Sequence, residues 1–269
     1  MLIQHRAGRG LLPALLLALV CPARAETTQS ARLMPGTPHE TALFLKQGEG
    51  AEPSIMVIGG FHGDEMAGYL AARRLLDWQV TRGMLIVLPE ANPQAIRRRE
   101  RGTLNRLLPG DPNGDGLQRL AAAIWRAVDF YRPGLLLTLH ESVDFHARDS
   151  SRYGQTLCYD FAALTPLMQR VLDRANPDLA DPLHRFQTFV KPFPDCPTYL
   201  AHEKLGIPAT AIETCRKLPL EQRIQQQLMV LMAFFDECGL GYEPAGLPRL
   251  STATRPPDTQ LHSGRSWDE

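Results

Sequence analysis

His62 and Glu65 stand three residues apart in the stretch IMVIGGFHGDE (55 to 65), where an apolar run passes through two glycines into an imidazole and a carboxylate. A His-x-x-Glu pair is by itself weak evidence of a metal site. Its place strengthens it, because a glycine pair after a buried strand lets the backbone turn sharply and side chains three apart can then converge on one ion. With His140 as a third donor, two nitrogens and one carboxylate leave a position open for water. That is the arrangement of a catalytic zinc ion, whereas closed structural sites favour cysteines. A histidine that closes a buried strand can also be hydrogen-bonded and inert, and His140 taken alone allows both readings. Glu213 closes the apolar run ATAIE (209 to 213), where an unpartnered acid would cost stability, so it is either paired or functional.

A second set of chemically able residues lies in the stretch EANPQAIRRRERGTLNRLLPGDPNGDG (90 to 116). Basic runs are usually solvated loops. Asn105 with Arg106, and Arg97 upstream, can instead grip a carboxylate and polarise a carbonyl through charge-assisted hydrogen bonds. A zinc hydrolase with such a grip takes a substrate with an acidic end. Within the same stretch, DPNGDG begins like a calcium-binding loop, but the twelfth position from Asp111 is Ala122, where a bidentate Glu is required. The segment therefore reads as a turn-rich connection.

The elements that must position these groups follow from periodicity. TALFL (41 to 45), SIMVI (54 to 58), MLIVL (84 to 88), LLLTL (135 to 139) and ATAIE (209 to 213) are strand-like apolar runs. Between them lie helical spacings: Leu117, Leu120, Ala121, Ile124, Val128 and Tyr131 share one face, as do Leu220, Ile224, Leu228, Leu231 and Phe235. Continuous apolar strands alternating with amphipathic helices predict an α/β fold, a three-layer α/β/α sandwich on a mostly parallel mixed sheet. In such sheets the active crevice lies beyond the carboxyl ends of the strands. His62, Glu65, His140 and Glu213 all fall there.

The whole chain sets further bounds. Residues 1 to 25 combine a cationic lead, a ten-residue apolar run and an Ala-Arg-Ala ending, the pattern of a secretory signal peptide cleaved after Ala25. The apolar run is too short to span a membrane. Loss of that segment removes Arg6, Arg9 and Arg24 from a chain with 29 basic and 29 acidic residues, leaving three acids in excess. Neither nucleic acid nor stable membrane insertion is suggested by that balance, and a periplasmic or secreted location is expected. Cys158, Cys196, Cys215 and Cys238 then remain, either as disulfides, which an exporting compartment permits, or as buried thiols. From about residue 244 the chain is rich in proline and small polar residues without an apolar period, and reads as a mobile tail. Residues 26 to 243 are left as one catalytic domain.

Four segments in order resemble the zinc carboxypeptidase superfamily, which includes carboxypeptidase A and the succinylglutamate desuccinylase/aspartoacylase deacylases. They are GGFHGDE, TLNRLLPG, LTLHES and AIETC. A closer resemblance, carried by LHESVDFH, RYGQTLCYD and FVKPFPDCPTYLAHEKLGIPATAIETCRKLPL, is to the cell-shape-determining D,L-carboxypeptidases that trim peptidoglycan peptides. The resemblance implies that His62, Glu65 and His140 are zinc ligands and that Glu213 is the general base. It further implies that Arg97 stabilises the oxyanion, that Asn105 and Arg106 bind substrate and that Tyr199 caps the site. The expected function is removal of the terminal residue of a peptidoglycan stem peptide. The alternative is deacylation of a small N-acyl amino acid.

Overall fold

The computed structural model describes residues 26–245. The leader expected over residues 1 to 25, and the tail beyond residue 245, lie outside the described residues.

In chain order the strands are β1 (Thr27–Leu33), β2 (Thr41–Gln47), β3 (Glu49–Gly59), β4 (Gln79–Leu88), β5 (Leu135–Ser142), β6 (Thr156–Tyr159), β7 (Gln187–Val190), β8 (Ala209–Cys215) and β9 (Gly241–Glu243). They form one sheet in the order β1-β2-β4-β3-β5-β8-β6-β7, with β9 added against β4. Its centre, β4-β3-β5-β8, is parallel throughout, while β1, β2 and β9 pair antiparallel and β6 joins β8 antiparallel. All five strands expected from apolar runs are present. The added ones are edge or short strands: β1 is almost wholly exposed and β6 is four residues long, so neither carries an apolar run.

Helices cover both faces: α1 (Met66–Arg74), α2 (Pro93–Arg98), α3 (Gly116–Tyr131), α4 (Thr165–Ala175), α5 (Pro197–Leu205) and α6 (Leu220–Cys238). Strand alternation divides the core. Ile55, Val57, Leu135, Leu137, Leu139 and Ile212 pack under α1, α4 and α6, while Met56, Ile58, Leu136 and Ala209 face α3 and α5. Each large apolar side chain so buried contributes roughly 1.5–3 kcal/mol. Both helices expected from sequence spacing are there, α3 and α6. The DPNGDG segment is the entry to α3: Asp111 accepts the Asn113 amide, and Asp115 caps the helix by accepting the Leu117 and Gln118 amides.

Candidate functional site

Every group singled out on the central strands lies on the α3/α5 face of the sheet or at its rim. On β5 and β8, Thr138 pairs with Ala211 and His140 with Glu213 in register. Cys158 on β6 lies beside Ala211. By the period of two, Thr138 and His140, like Ala211 and Glu213, point the same way out of the sheet. They line a cleft with a cavity volume of about 90 Å³, whose walls include His62, Arg101, Asn105, Arg106 and Tyr153.

His62 and Glu65 reach this cleft through the loop that leaves β3. Gly60 takes φ +75°, which only glycine adopts without strain, and a side chain at Gly63 would collide with the backbone of Ala95 in α2. The turn is tight enough for Glu65 to stand at the N-cap of α1 with its carboxylate turned away from that helix. Glu65 Oε1 lies 2.8 Å from His62 Nδ1 and Oε2 lies 2.9 Å from His140 Nδ1. The three residues can offer donor atoms all within 4.8 Å of one another, and all three are buried.

The chemistry of this set fits a zinc ion. Burial alone would push the Glu65 carboxyl up, but the imidazoles of His140 and His62 hold it far below the usual carboxylate range, so it is an anion. Burial lowers the pKa of His140 and favours the neutral, ligating imidazole. His62 Nδ1 is buried 2.8 Å from Glu65 Oε1 and has no hydrogen-bond partner among the described residues, so this nitrogen is available in the donor cluster. Tetrahedral zinc with two imidazoles and a carboxylate would use these donors and keep one position free.

Glu213 lies half-buried on the cleft floor beside this cluster. Burial, and then repulsion from Glu65, raises its carboxyl well above its ordinary value. A carboxylate moved toward neutrality by desolvation is suited to accept and return a proton. The neighbouring thiols are not: burial pushes both Cys158 and Cys196 up, so neither is a thiolate nucleophile at neutral pH. All four cysteines among the described residues are free.

The cationic wall differs from the sequence expectation in one residue. Asn105 and Arg106 stand in a short 3-10 turn, Leu104–Arg106, on the cleft wall, with the Arg106 guanidinium half-exposed and 3.9 Å from the Asp195 carboxylate. Arg97 is not brought to the cleft. It sits in the last turn of α2 and donates to the Pro38 carbonyl at 2.9 Å on the outer surface. Arg101, three residues beyond the end of α2 at Arg98, lines the cleft instead and donates to Glu65 Oε1 at 2.8 Å. Its signal in the sequence, one arginine among four in RRRER, could not distinguish it from its neighbours. Tyr199 packs against the apolar layer under α5 and does not line the cleft, whereas Tyr153 does, in edge contact with Phe189 and Phe193. His146 and His202 lie apart from the donor cluster, near Phe189 and Asp160 respectively.

Over 86 residues the chain is 36% identical to the N-alpha-acetyl-L-2,4-diaminobutyric acid deacetylase of Halomonas elongata, a match covering 29% of this chain and 25% of that protein. Among solved structures, the mDAP-bound form of Helicobacter pylori Csd4, a D,L-carboxypeptidase, is 18% identical with a TM-score of 0.68 over 74% of this chain and 55% of that one. The product-bound ectoine utilization protein EutE (DoeB) of Ruegeria pomeroyi is 19% identical with a TM-score of 0.62, over 81% of this chain and 68% of that one. At these identities the two structures establish a shared fold, and the chain spans little more than half the length of Csd4. The succinylglutamate desuccinylase/aspartoacylase catalytic domain matches residues 51–233, a segment that runs from β3 into α6 and contains His62, Glu65, His140 and Glu213. With most of its length inside that match, the chain belongs to the succinylglutamate desuccinylase/aspartoacylase catalytic-domain family of the zinc carboxypeptidase-like superfamily.

Proposed function

We propose that this protein is a zinc-dependent metallocarboxypeptidase that hydrolyses the terminal amide bond of a short peptide bearing a free carboxylate, with peptidoglycan stem peptides as its substrates. The reading rests above all on one arrangement: His62, Glu65 and His140 meet beside Glu213 in a cleft that Arg101 and Arg106 also line. His62, Glu65 and His140 would hold a zinc ion, which would supply Lewis acidity to this end of the cleft. Glu213 takes the proton of the attacking water and returns it to the leaving amine. Arg101 assumes the oxyanion-stabilising role that the sequence suggested for Arg97, since it is the arginine beside the metal donors. Asn105 and Arg106 hold the substrate carboxylate, and the small cavity suits one terminal residue better than a long peptide. The leader-like N-terminus supports a periplasmic or secreted location, where such peptides are found. No helix among the described residues is long and apolar enough to cross a membrane.

A second reading, release of an acyl group from a small N-acyl amino acid, is favoured by the 36% identity to a diaminobutyrate deacetylase over 86 residues. One experiment separates the two. Zinc-loaded protein is incubated with tri-, tetra- and pentapeptide muropeptides and with N-acyl amino acids, and the products are identified by mass. Loss of a terminal diamino acid from tripeptides supports the carboxypeptidase, acyl release alone supports the deacylase, and no product from either set defeats both.

The carboxylate grip gives a separate expectation. Arg106→Ala should raise KM for substrates with a free terminal carboxylate far more than for their amides, which already lack that contact. Equal slowing of acid and amide substrates would remove Arg106 from substrate binding.

A further inference from the structure

The sheet face away from the cleft carries an unusual polar column. α6 packs its buried side against β5 and β8 with apolar residues except at Arg223, Gln226 and Gln227, near its N-terminal end. Gln227 is fully buried, and its single amide nitrogen donates to the His140 carbonyl at 3.0 Å and to Thr214 Oγ1 at 3.1 Å. An amide group has two hydrogens, so each bond uses one. Its oxygen has no partner among the described residues. One turn earlier, Arg223 pairs with Glu141, whose other oxygen accepts the Ala67 amide at 3.0 Å near the start of α1. Gln226 touches Gln155, which in turn accepts the Cys215 amide at 3.0 Å.

These bonds fall at a particular place. β3 pairs with β5 only as far as Gly59 opposite Leu139, then turns away into the loop that carries His62 and Glu65. His140 is therefore the first residue of β5 beyond its β3 support, and it is in register with Glu213 on β8. Gln227 holds the His140 backbone and the residue after Glu213 together from behind, at the point where one neighbouring strand is lost. A glutamine that merely filled space would need no such donors, and an apolar residue of similar length would serve as well.

Resting on the zinc-hydrolase reading above, we infer that Gln227 is a positioning residue, which fixes His140 and Glu213 relative to each other through the sheet without touching the cleft. Groups hydrogen-bonded to the ligating side chains themselves typically influence metal affinity or activity about 10–100-fold, and a contact to the ligand's backbone acts at the lower end of that range. The test uses Gln227→Met, which keeps length and burial but removes both donors, and Thr214→Val, which removes one acceptor with little change in shape. Zinc affinity is measured by chelator competition, alongside melting temperature, kcat and KM, on the full-length protein. Gln227→Met should weaken zinc binding and lower kcat by about 10-fold or more with KM nearly unchanged, since the substrate grip lies on another element. Thr214→Val should give a smaller loss of the same kind, and the double variant should lose less than the two single losses combined, because both act through one contact. If Gln227→Met does not fold, Thr214→Val alone decides. Wild-type zinc affinity and kcat in a folded variant would overturn the inference and leave the metal site standing. A wild-type protein that holds no zinc would overturn both.

Discussion

Glu213→Gln should lower kcat by about 10² to 10⁴ while zinc content and substrate affinity stay near wild type, because general-base assistance is what the carboxylate alone provides. Gln keeps the size and most of the hydrogen bonding. Stability gives the control. Glu213 titrates above its ordinary value because burial, and then Glu65, disfavours its charge, so its contribution to stability is present at low pH and is lost as pH rises through the raised pKa. A neutral glutamine removes that loss, and the melting temperature at neutral pH should be at or above wild type. Zinc stoichiometry, melting temperature and kcat are to be measured on one preparation. A folded, zinc-replete Glu213→Gln protein with near wild-type kcat would rule out the proposed base.

Removing one of the proposed zinc ligands should do something different and larger. His140→Ala leaves two protein donors, below the three that catalytic zinc sites use, so the dialysed variant should contain little zinc and no measurable activity. It also takes from Glu65 the imidazole 2.9 Å from its Oε2, leaving a buried carboxylate with His62 and Arg101 as its nearest partners. Stoichiometric zinc in purified, dialysed His140→Ala would sink the ligand assignment.

The parts of the fold that were legible in the sequence are those under strong burial. β3, β5 and β8 are apolar on both faces because helices cover both, so their runs stand out, and α3 and α6 show a clear apolar stripe. β1 contributes almost no buried side chain, and β7 is short and half-exposed, so hydrophobicity could not mark them. In the site, His62, Glu65, His140 and Glu213 could be singled out because polar residues at the ends of apolar strands are anomalous. Arg101 and Tyr153 sit in irregular segments, where the conformation of the loop decides which of several similar side chains faces inward. RRRER alone favours Arg97 no less than Arg101, and it is the end of α2 at Arg98 that leaves Arg97 on the outer surface and Arg101 in the cleft. Gln227 was hidden for the opposite reason: in QQQ on an amphipathic helix, only the packing against β5 and β8 shows which glutamines are interior.

The parallel centre of the sheet has a consequence for the lifetime of the protein. Glu65 and His140 are 75 residues apart in the chain, and each parallel pairing needs a whole crossover to be folded before the next strand can dock. Such non-local pairings form late and slowly, so a partly folded chain has no assembled donor set. An ion that binds only the finished arrangement draws on the folding equilibrium of the entire sheet, and at a thousand times its dissociation constant it adds about 4 kcal/mol to the native state. That is a large share of the roughly 5–15 kcal/mol by which domains are stable. If zinc is that ion, as proposed, its supply would govern how long the chain survives among proteases as well as how fast it turns over substrate, and a metal-starved population would shrink as well as fall idle.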